Sequence, residues 1–337
     1  MYMNYYIYIL FFPMMLISNF LIFLSNTWIT NWMIMEINLI SFIMLLIFDK
    51  SMKNELLMNY FLIQTFNSYI FLFSSLMMNY LNSIFFFLFL MNLAILTKLG
   101  VPPFYIWYLK IMMNLNWMNL LFMSTIQKII PMVIFMMLIN FNNIYLFYFN
   151  VWMILFFMFF ISVLGLNQMN MKLILAYSSM IQISWMIMLM YLNELIFLNY
   201  FIIYFIISLN LIFVFYKMNF LNLNQLSILK FNNKFSYIFL MMMMLSLSSI
   251  PPMFGFLMKW ISIDLMSKNL LFFMILIMIF NSLISMFFYI RIMFYSLMMN
   301  FYSLKMNFKF LNFKNYMSNN FLLNWLMLIM LLIYEIF

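Results

Sequence analysis

Hydrophobic positions along the chain fall in long continuous runs, neither alternating with polar residues nor grouped into one-sided stripes. The runs cover roughly residues 5–24, 28–48, 56–78, 82–109, 118–139, 143–164, 170–191, 195–217, 236–266, 269–295 and 319–336. Each is close to or above the roughly 20 residues that a helix needs to cross the hydrocarbon layer. A transmembrane barrel would instead alternate apolar and polar residues over about ten positions per strand. The pattern predicts an all-α polytopic membrane protein of about 11 transmembrane helices with mostly short loops. Residues Met1–Asn4 lead into the first run without a basic stretch or a small-residue cleavage site, so that run is expected to be a mature span.

Two runs are interrupted by paired prolines. One reads Lys98-Leu-Gly100-Val-Pro102-Pro103-Phe104, the other Ser248-Ser249-Ile-Pro251-Pro252-Met-Phe254-Gly255. Proline removes a backbone donor and clashes with the preceding turn, so both helices should break inside the membrane. Broken backbone is tolerated there only where protein buries it or a wet cavity receives it. The interrupted runs are the fourth and the ninth. Their odd separation makes them cross the membrane in opposite directions, which is the sequence mark of an ion or substrate path between inverted halves.

Composition narrows the chemistry. The chain has 337 residues, 69% hydrophobic and 6% charged, with a mean hydropathy of +1.12. A soluble domain is about a quarter charged, so a water-facing globule is excluded. With no Cys and no His, disulfides, thiolate-held clusters, His-ligated haem and His-dependent nucleophilic catalysis are excluded in this chain. Redox chemistry has to reside in partners. The 45 Met, 47 Phe and 3 Gly read as the coding bias of a very AT-rich genome; methionine serves here as packing filler.

The net charge of +9 comes from single basic residues scattered between apolar runs, which argues against nucleic acid and for topology signals and lipid headgroups. Lys50, Lys53, Lys110, Lys217, Lys230, Lys234, Arg291, Lys305, Lys309 and Lys314 follow even-numbered runs, whereas Lys268 follows an odd one. The positive-inside rule then puts the N-terminus and the even loops on the cytoplasmic or matrix side and the C-terminus on the other.

Five charges stand inside apolar runs or beside the breaks: Glu36, Lys98, Lys128, Lys172 and Lys259. A charge at mid-membrane costs at least about 2.5–3.5 kcal/mol on insertion scales, and such residues are usually paired and functional. Lys172 lies near a run end, from where it can also reach the interface. One acid and several lysines at similar depth make a lateral row of titratable groups. Desolvation disfavours their charged forms and an opposite neighbour restores them, so opening and closing an ion pair moves a proton. The pattern fits ion translocation without bond-making catalysis.

The ordered set Met35-Glu36-Ile37-Asn38, Lys98 to Phe104 with Trp107, Gln127-Lys128-Ile-Ile-Pro131, Gly165-Leu-Asn-Gln168, Leu175-Ala-Tyr-Ser-Ser179 with Trp185, and Leu247 to Trp260 resembles the mitochondrion-encoded chain 2 family of invertebrate NADH–ubiquinone oxidoreductase (respiratory complex I), one of its antiporter-like membrane subunits. The resemblance implies two inverted five-helix repeats, at 1–139 and 140–295, followed by a matrix-side loop and a C-terminal helix at 296–337. It implies that Glu36 and Lys98 form a titratable pair, that Lys128 passes charge to the second half, and that Lys172 and Lys259 lie toward the exit. Gly100, Pro102, Pro103, Pro251, Pro252 and Gly255 would make the helix breaks. It further implies a subunit of a proton-pumping NADH:ubiquinone reductase in the mitochondrial inner membrane, with the N-terminus in the matrix and the C-terminus in the intermembrane space. Its partners would be the other membrane-arm subunits and phospholipid, cardiolipin included. NADH, FMN, iron–sulfur clusters and ubiquinone would be bound by those other subunits, with no cofactor or metal in this chain. The sequence departs from the family pattern at Tyr105, at Leu109-Lys110 and at Leu173. Two other readings compete: a component of a cation/proton antiporter, stand-alone or multi-subunit, and a structural membrane subunit that translocates nothing.

Overall fold

A computed structural model describes residues 2–48, 52–78, 84–141, 144–218, 234–251 and 253–303. The described elements are helices: α1 (Tyr2–Leu21) with a short 3-10 turn (Ile22–Leu24), α2 (Trp28–Ile47), α3 (Asn54–Met77), α4 (Ile84–Leu99), α5 (Ile106–Asn114), α6 (Trp117–Ser124), α7 (Ile126–Ile139), α8 (Ile144–Leu166), α9 (Met171–Leu192), α10 (Glu194–Met218), α11 (Lys234–Ser248), α12 (Phe254–Lys268) and α13 (Phe272–Ser303). Among the described residues, seven segments are long and apolar enough to span a bilayer: Trp28–Ile47, Asn54–Met77, Trp117–Ile139, Tyr145–Leu166, Met171–Leu192, Glu194–Lys217 and Phe272–Phe294. Shorter apolar helices run over Tyr8–Leu24, Ile84–Leu99 and Tyr237–Ser248. The expected last span at 319–336, and with it Pro252, lies outside the described residues.

Helix starts follow local chemistry. The Thr27 hydroxyl accepts from the Thr30 N–H at the head of α2, and the Asn170 side chain accepts from the Lys172 N–H at the head of α9. The outer surface is apolar: Trp152, Phe156 and Phe160 on α8 and Phe280 and Phe287 on α13 are exposed. Apolar side chains turned outward in this way fit a lipid solvent.

Helix α9 is the axis of the bundle. Its spanning window is 100% buried, and it packs against α5, α7, α8, α10, α12 and α13. Ala176, Ser178, Ser179 and Ser184 are buried along it; small side chains of this kind let neighbouring helices approach closely where no hydrophobic effect drives association.

Both proline-marked interruptions end their first helix in the same way. Val101 N–H donates to Leu96 C=O (3.2 Å) and Gly100 N–H to Thr97 C=O (3.1 Å). In the second, Ile250 N–H donates to Leu245 C=O (3.4 Å) and Ser249 N–H to Ser246 C=O (3.2 Å). This is the Schellman cap, whose turning residue needs a left-handed backbone. Gly100 has φ +67° and Ser249 φ +60°. Pro102 and Pro251 follow two residues later, where the helix cannot continue. The run at 118–139, expected as one helix, also proves to be interrupted: α6 ends at Ser124, Thr125 takes φ −127° and ψ −70°, and α7 begins at Ile126. Pro131 sits inside α7, so the interruption falls one and a half turns before the proline rather than at it.

Candidate functional site

Lys98 occupies the last turn of α4, 8% exposed. Its Nζ lies 3.4 Å from Met35 Sδ. Glu36, the next residue on α2, is half-buried and accepts a hydrogen bond from the Ser68 hydroxyl of α3. Glu36 and Lys98 feel each other electrostatically, yet they are not within ion-pair distance. Among the described residues the ion pair found is the exposed Lys268–Asp264 contact at 2.7 Å. The titratable pair that the resemblance implies, Glu36 and Lys98, thus stands beyond direct ion-pair contact in this structure. The reason is helical: successive residues point about 100° apart, so with Met35 turned to Lys98, Glu36 turns toward α3.

Lys98 and Lys128 line one cavity of about 30 Å³, together with Asn38, Gln64, Gln127 and Tyr108. A polar space of that size holds about two waters. Its wall is pinned by a reciprocal amide pair between α2 and α7: Asn38 Nδ2 donates to Gln127 Oε1 (2.9 Å) and Gln127 Nε2 to Asn38 Oδ1 (3.3 Å). The break at Thr125 places Lys128 in the first turn of α7, so Lys128, midway along the span Trp117–Ile139 as expected, stands beside an interruption. Its Nζ donates to Tyr108 Oη (3.1 Å) and lies 4.3 Å from that ring's centroid. Tyr108 Oη is 2.9 Å from Ser179 Oγ on α9.

Ser179 is also faced by Tyr204 of α10. Tyr204 lines a second cavity, of about 20 Å³, with Gln182, Tyr200, Ser246, Leu247 and Gly255. Tyr200 Oη donates to Gln182 Oε1, and Gln182 Nε2 to Leu247 C=O at the second break. Polar groups thus run from the first break, across α9, to the second. Tyr108, Ser179, Gln182, Tyr200 and Tyr204 were not singled out as site residues from sequence. Their signal was polar side chains in otherwise apolar runs, Tyr200 and Tyr204 one helical turn apart.

Lys259, on α12, donates to Ser249 Oγ at 2.7 Å and lies 5.9 Å from the Trp185 ring. It thereby holds the turning residue of the second break. Gly255 brings α12 against the end of α11: a Cβ there would stand 1.9 Å from Ser246 C=O. Lys172 is buried and donates to Leu115 C=O at 2.5 Å, with the Trp117 ring at 5.6 Å. It ties α9 to the end of α5. The structure therefore joins Lys98 and Lys128 in one cavity with Glu36 nearby, and holds Lys172 and Lys259 each against a different helix end.

The two breaks align at an offset of 149 residues, Gly100 on Ser249 and Pro102 on Pro251. In that register Lys98 matches Leu247, and Lys259 matches Lys110. Lys110 is exposed. The first half buries its lysine before the break and the second half after it.

The family model described as NADH:quinone oxidoreductase/Mrp antiporter, transmembrane, matches residues 25–285. NADH-ubiquinone oxidoreductase chain 2 of Aedes aegypti is 38% identical over 272 residues, 77% of this chain and 78% of that protein. Among solved structures, a chain of respiratory complex I from Thermus thermophilus superposes with a TM-score of 0.68 at 18% identity over 77% of this chain and 63% of that one. A chain of the Mrp complex from Dietzia sp. gives a TM-score of 0.74 at 16% identity over 83% of this chain and 58% of that one. This chain thus spans less than two thirds of either solved chain, and the likeness to both is one of fold. With the family match covering both breaks and all five intramembrane charges, the chain belongs to the NADH:quinone oxidoreductase/Mrp antiporter transmembrane family.

Proposed function

We propose that this chain is a proton-translocating, antiporter-like subunit of the membrane arm of respiratory complex I. The observation that carries the reading is the cavity shared by Lys98 and Lys128, two buried amines beside helix interruptions with room for water between them. Buried amines whose charge depends on hydration and on a nearby carboxylate can take up and release protons as the site opens and closes. Glu36 would supply that carboxylate. Lys128, Tyr108, Ser179 and Tyr204 would carry charge laterally, and Lys259 would receive it at the second break. Lys172 would serve the exit side of that row.

In this reading the chain has about 11 spans: inverted five-helix repeats at 1–139 and 140–295, and a loop and final helix at 296–337. It sits in the mitochondrial inner membrane with the N-terminus in the matrix and the C-terminus in the intermembrane space. Other subunits carry NADH, FMN, iron–sulfur clusters and ubiquinone, and phospholipid, cardiolipin included, surrounds the bundle. Replacing Lys128 by Met in the assembled complex should lower the protons moved per NADH oxidised. An unchanged ratio would favour a structural subunit. The fold shared with the Mrp chain favours, as second reading, a cation/proton antiporter component. Sodium dependence of transport would select it.

A further inference from the structure

A larger cavity, of about 560 Å³, opens between α4, α7, α8 and α9 and is bordered by Asn92, Phe135, Asn150 and Tyr191. It lies at the helix ends joined by residues 140–143 and 193, which carry no Lys or Arg. Glu194 follows Tyr191 by three residues. On the positive-inside topology this is the side opposite Lys110. Three polar side chains from three helices are linked across it. Asn92 Nδ2 donates to Asn150 Oδ1 at 2.7 Å, and Asn150 Nδ2 to Tyr191 Oη at 2.7 Å. Asn92 is 3% and Asn150 2% exposed. Polar groups held this deep in an apolar bundle mark places where water or an ion passes.

This cavity shares its helix faces with the Lys98–Lys128 cavity. On α4, Leu88 and Asn92 line the large cavity and Leu99 the small one. With 3.6 residues per turn, positions 88, 92, 95 and 99 form one stripe, so Ile95 falls between the two spaces. On α7, Gln127 and Pro131 line the small cavity, and Phe135, one turn on, lines the large one. Ile95 and Phe135 are each 1% exposed. The Phe135 ring packs edge-on against Tyr191, centroids 5.8 Å apart. The lysine cavity has a comparable wall on its other side: Trp107 borders both it and a cavity of about 490 Å³ that reaches Lys110 between α3 and α5.

We propose that the α4–α7 groove is a gated water passage from the Lys-poor face to the Lys98–Lys128 cavity, with Ile95 and Phe135 as the plug and Asn92, Asn150 and Tyr191 as its polar lining. The passage gives the first half its own access to the face opposite Lys110, without crossing α9 to the second break. A dry apolar plug stops protons, because it breaks the chain of hydrogen bonds they follow. Rotation of the Phe135 ring would join the two spaces. The inference rests on the translocation reading for its purpose but on the cavities for its existence.

The test uses the assembled complex in sealed membranes. The chain has no Cys, so a single introduced thiol is the only one it carries. Asn150→Cys should react with a membrane-impermeant thiol reagent applied from the face opposite Lys110, and Ile95→Cys should not. Adding Phe135→Ala should make Ile95→Cys reactive from that face and lower the protons moved per NADH while oxidation continues. An unreactive Asn150→Cys, or an Ile95→Cys already reactive with Phe135 in place, overturns the proposal. If Phe135→Ala fails to assemble, Phe135→Leu and the two single thiols still decide it. Reactive Asn150→Cys alongside unchanged pumping in Lys128→Met would retain the passage and remove the translocation reading.

Discussion

Ser249 holds a left-handed backbone without being glycine, φ +60°, at a cost of about 1–2 kcal/mol for an L side chain. Its hydroxyl is what Lys259 grips. Ser249→Gly relieves that strain but leaves the buried Lys259 amine without this partner, a loss of about 1–3 kcal/mol; the thermal midpoint of the complex should therefore not rise and proton transport should fall, and unchanged transport would show that the contact is incidental. Gly100 is the mirror case. Its φ is +67°, and a Cβ would meet Tyr108 Cβ at 3.0 Å. Gly100→Ala should destabilise by about 1–2 kcal/mol and disturb Lys128 through Tyr108, seen as a lower thermal midpoint together with weaker pumping. Tyr108→Phe keeps the ring beside Lys128 and removes the oxygen that links it to Ser179. It should reduce pumping more than stability, which parallel measurements of proton-to-NADH ratio and thermal midpoint would separate.

At the scale of elements, the interrupted helices are held by side-chain amides as much as by apolar packing. Asn38 and Gln127 fasten α2 to α7 beside the Thr125 break. Gln127→Leu leaves the buried Asn38 amide short of a partner and should cost about 1–2 kcal/mol. The double change Asn38→Leu with Gln127→Leu should recover much of that, because no buried amide is then left unpaired. A thermal double-mutant cycle on the assembled complex checks it; additive losses would show that the pair is not coupled. Both proline-marked ends were legible from sequence because proline stops a helix by itself, through a lost donor and a clash with the preceding turn, whichever residue turns the chain before it. The Thr125 interruption was not. Proline restricts the turn before it, but where the chain relieves that restriction depends on which carbonyls the neighbouring helices can satisfy.

For the whole molecule, the buried axis α9 separates the two breaks, and the polar side chains of α5, α9 and α10 bridge them. Sidedness is testable with the same cysteine-free background. Lys110→Cys should react from one face and Lys268→Cys from the other with an impermeant reagent, and labelling of both from one face would overturn the topology. The sequence by itself determined the solvent of this protein, the number and depth of its apolar runs, the location of two breaks and the short roster of charges able to work inside a membrane. Those are properties of runs, spacing and local backbone, and 1.5 Å of rise per residue converts position into depth. Only the tertiary structure decided which charges meet. Met35, and not Glu36, faces Lys98; Lys172 reaches the Leu115 carbonyl; Lys128 reaches Tyr108. Depth follows from counting along one helix, but the direction in which a side chain points, and what it finds there, depends on how every other helix is rotated and packed around it.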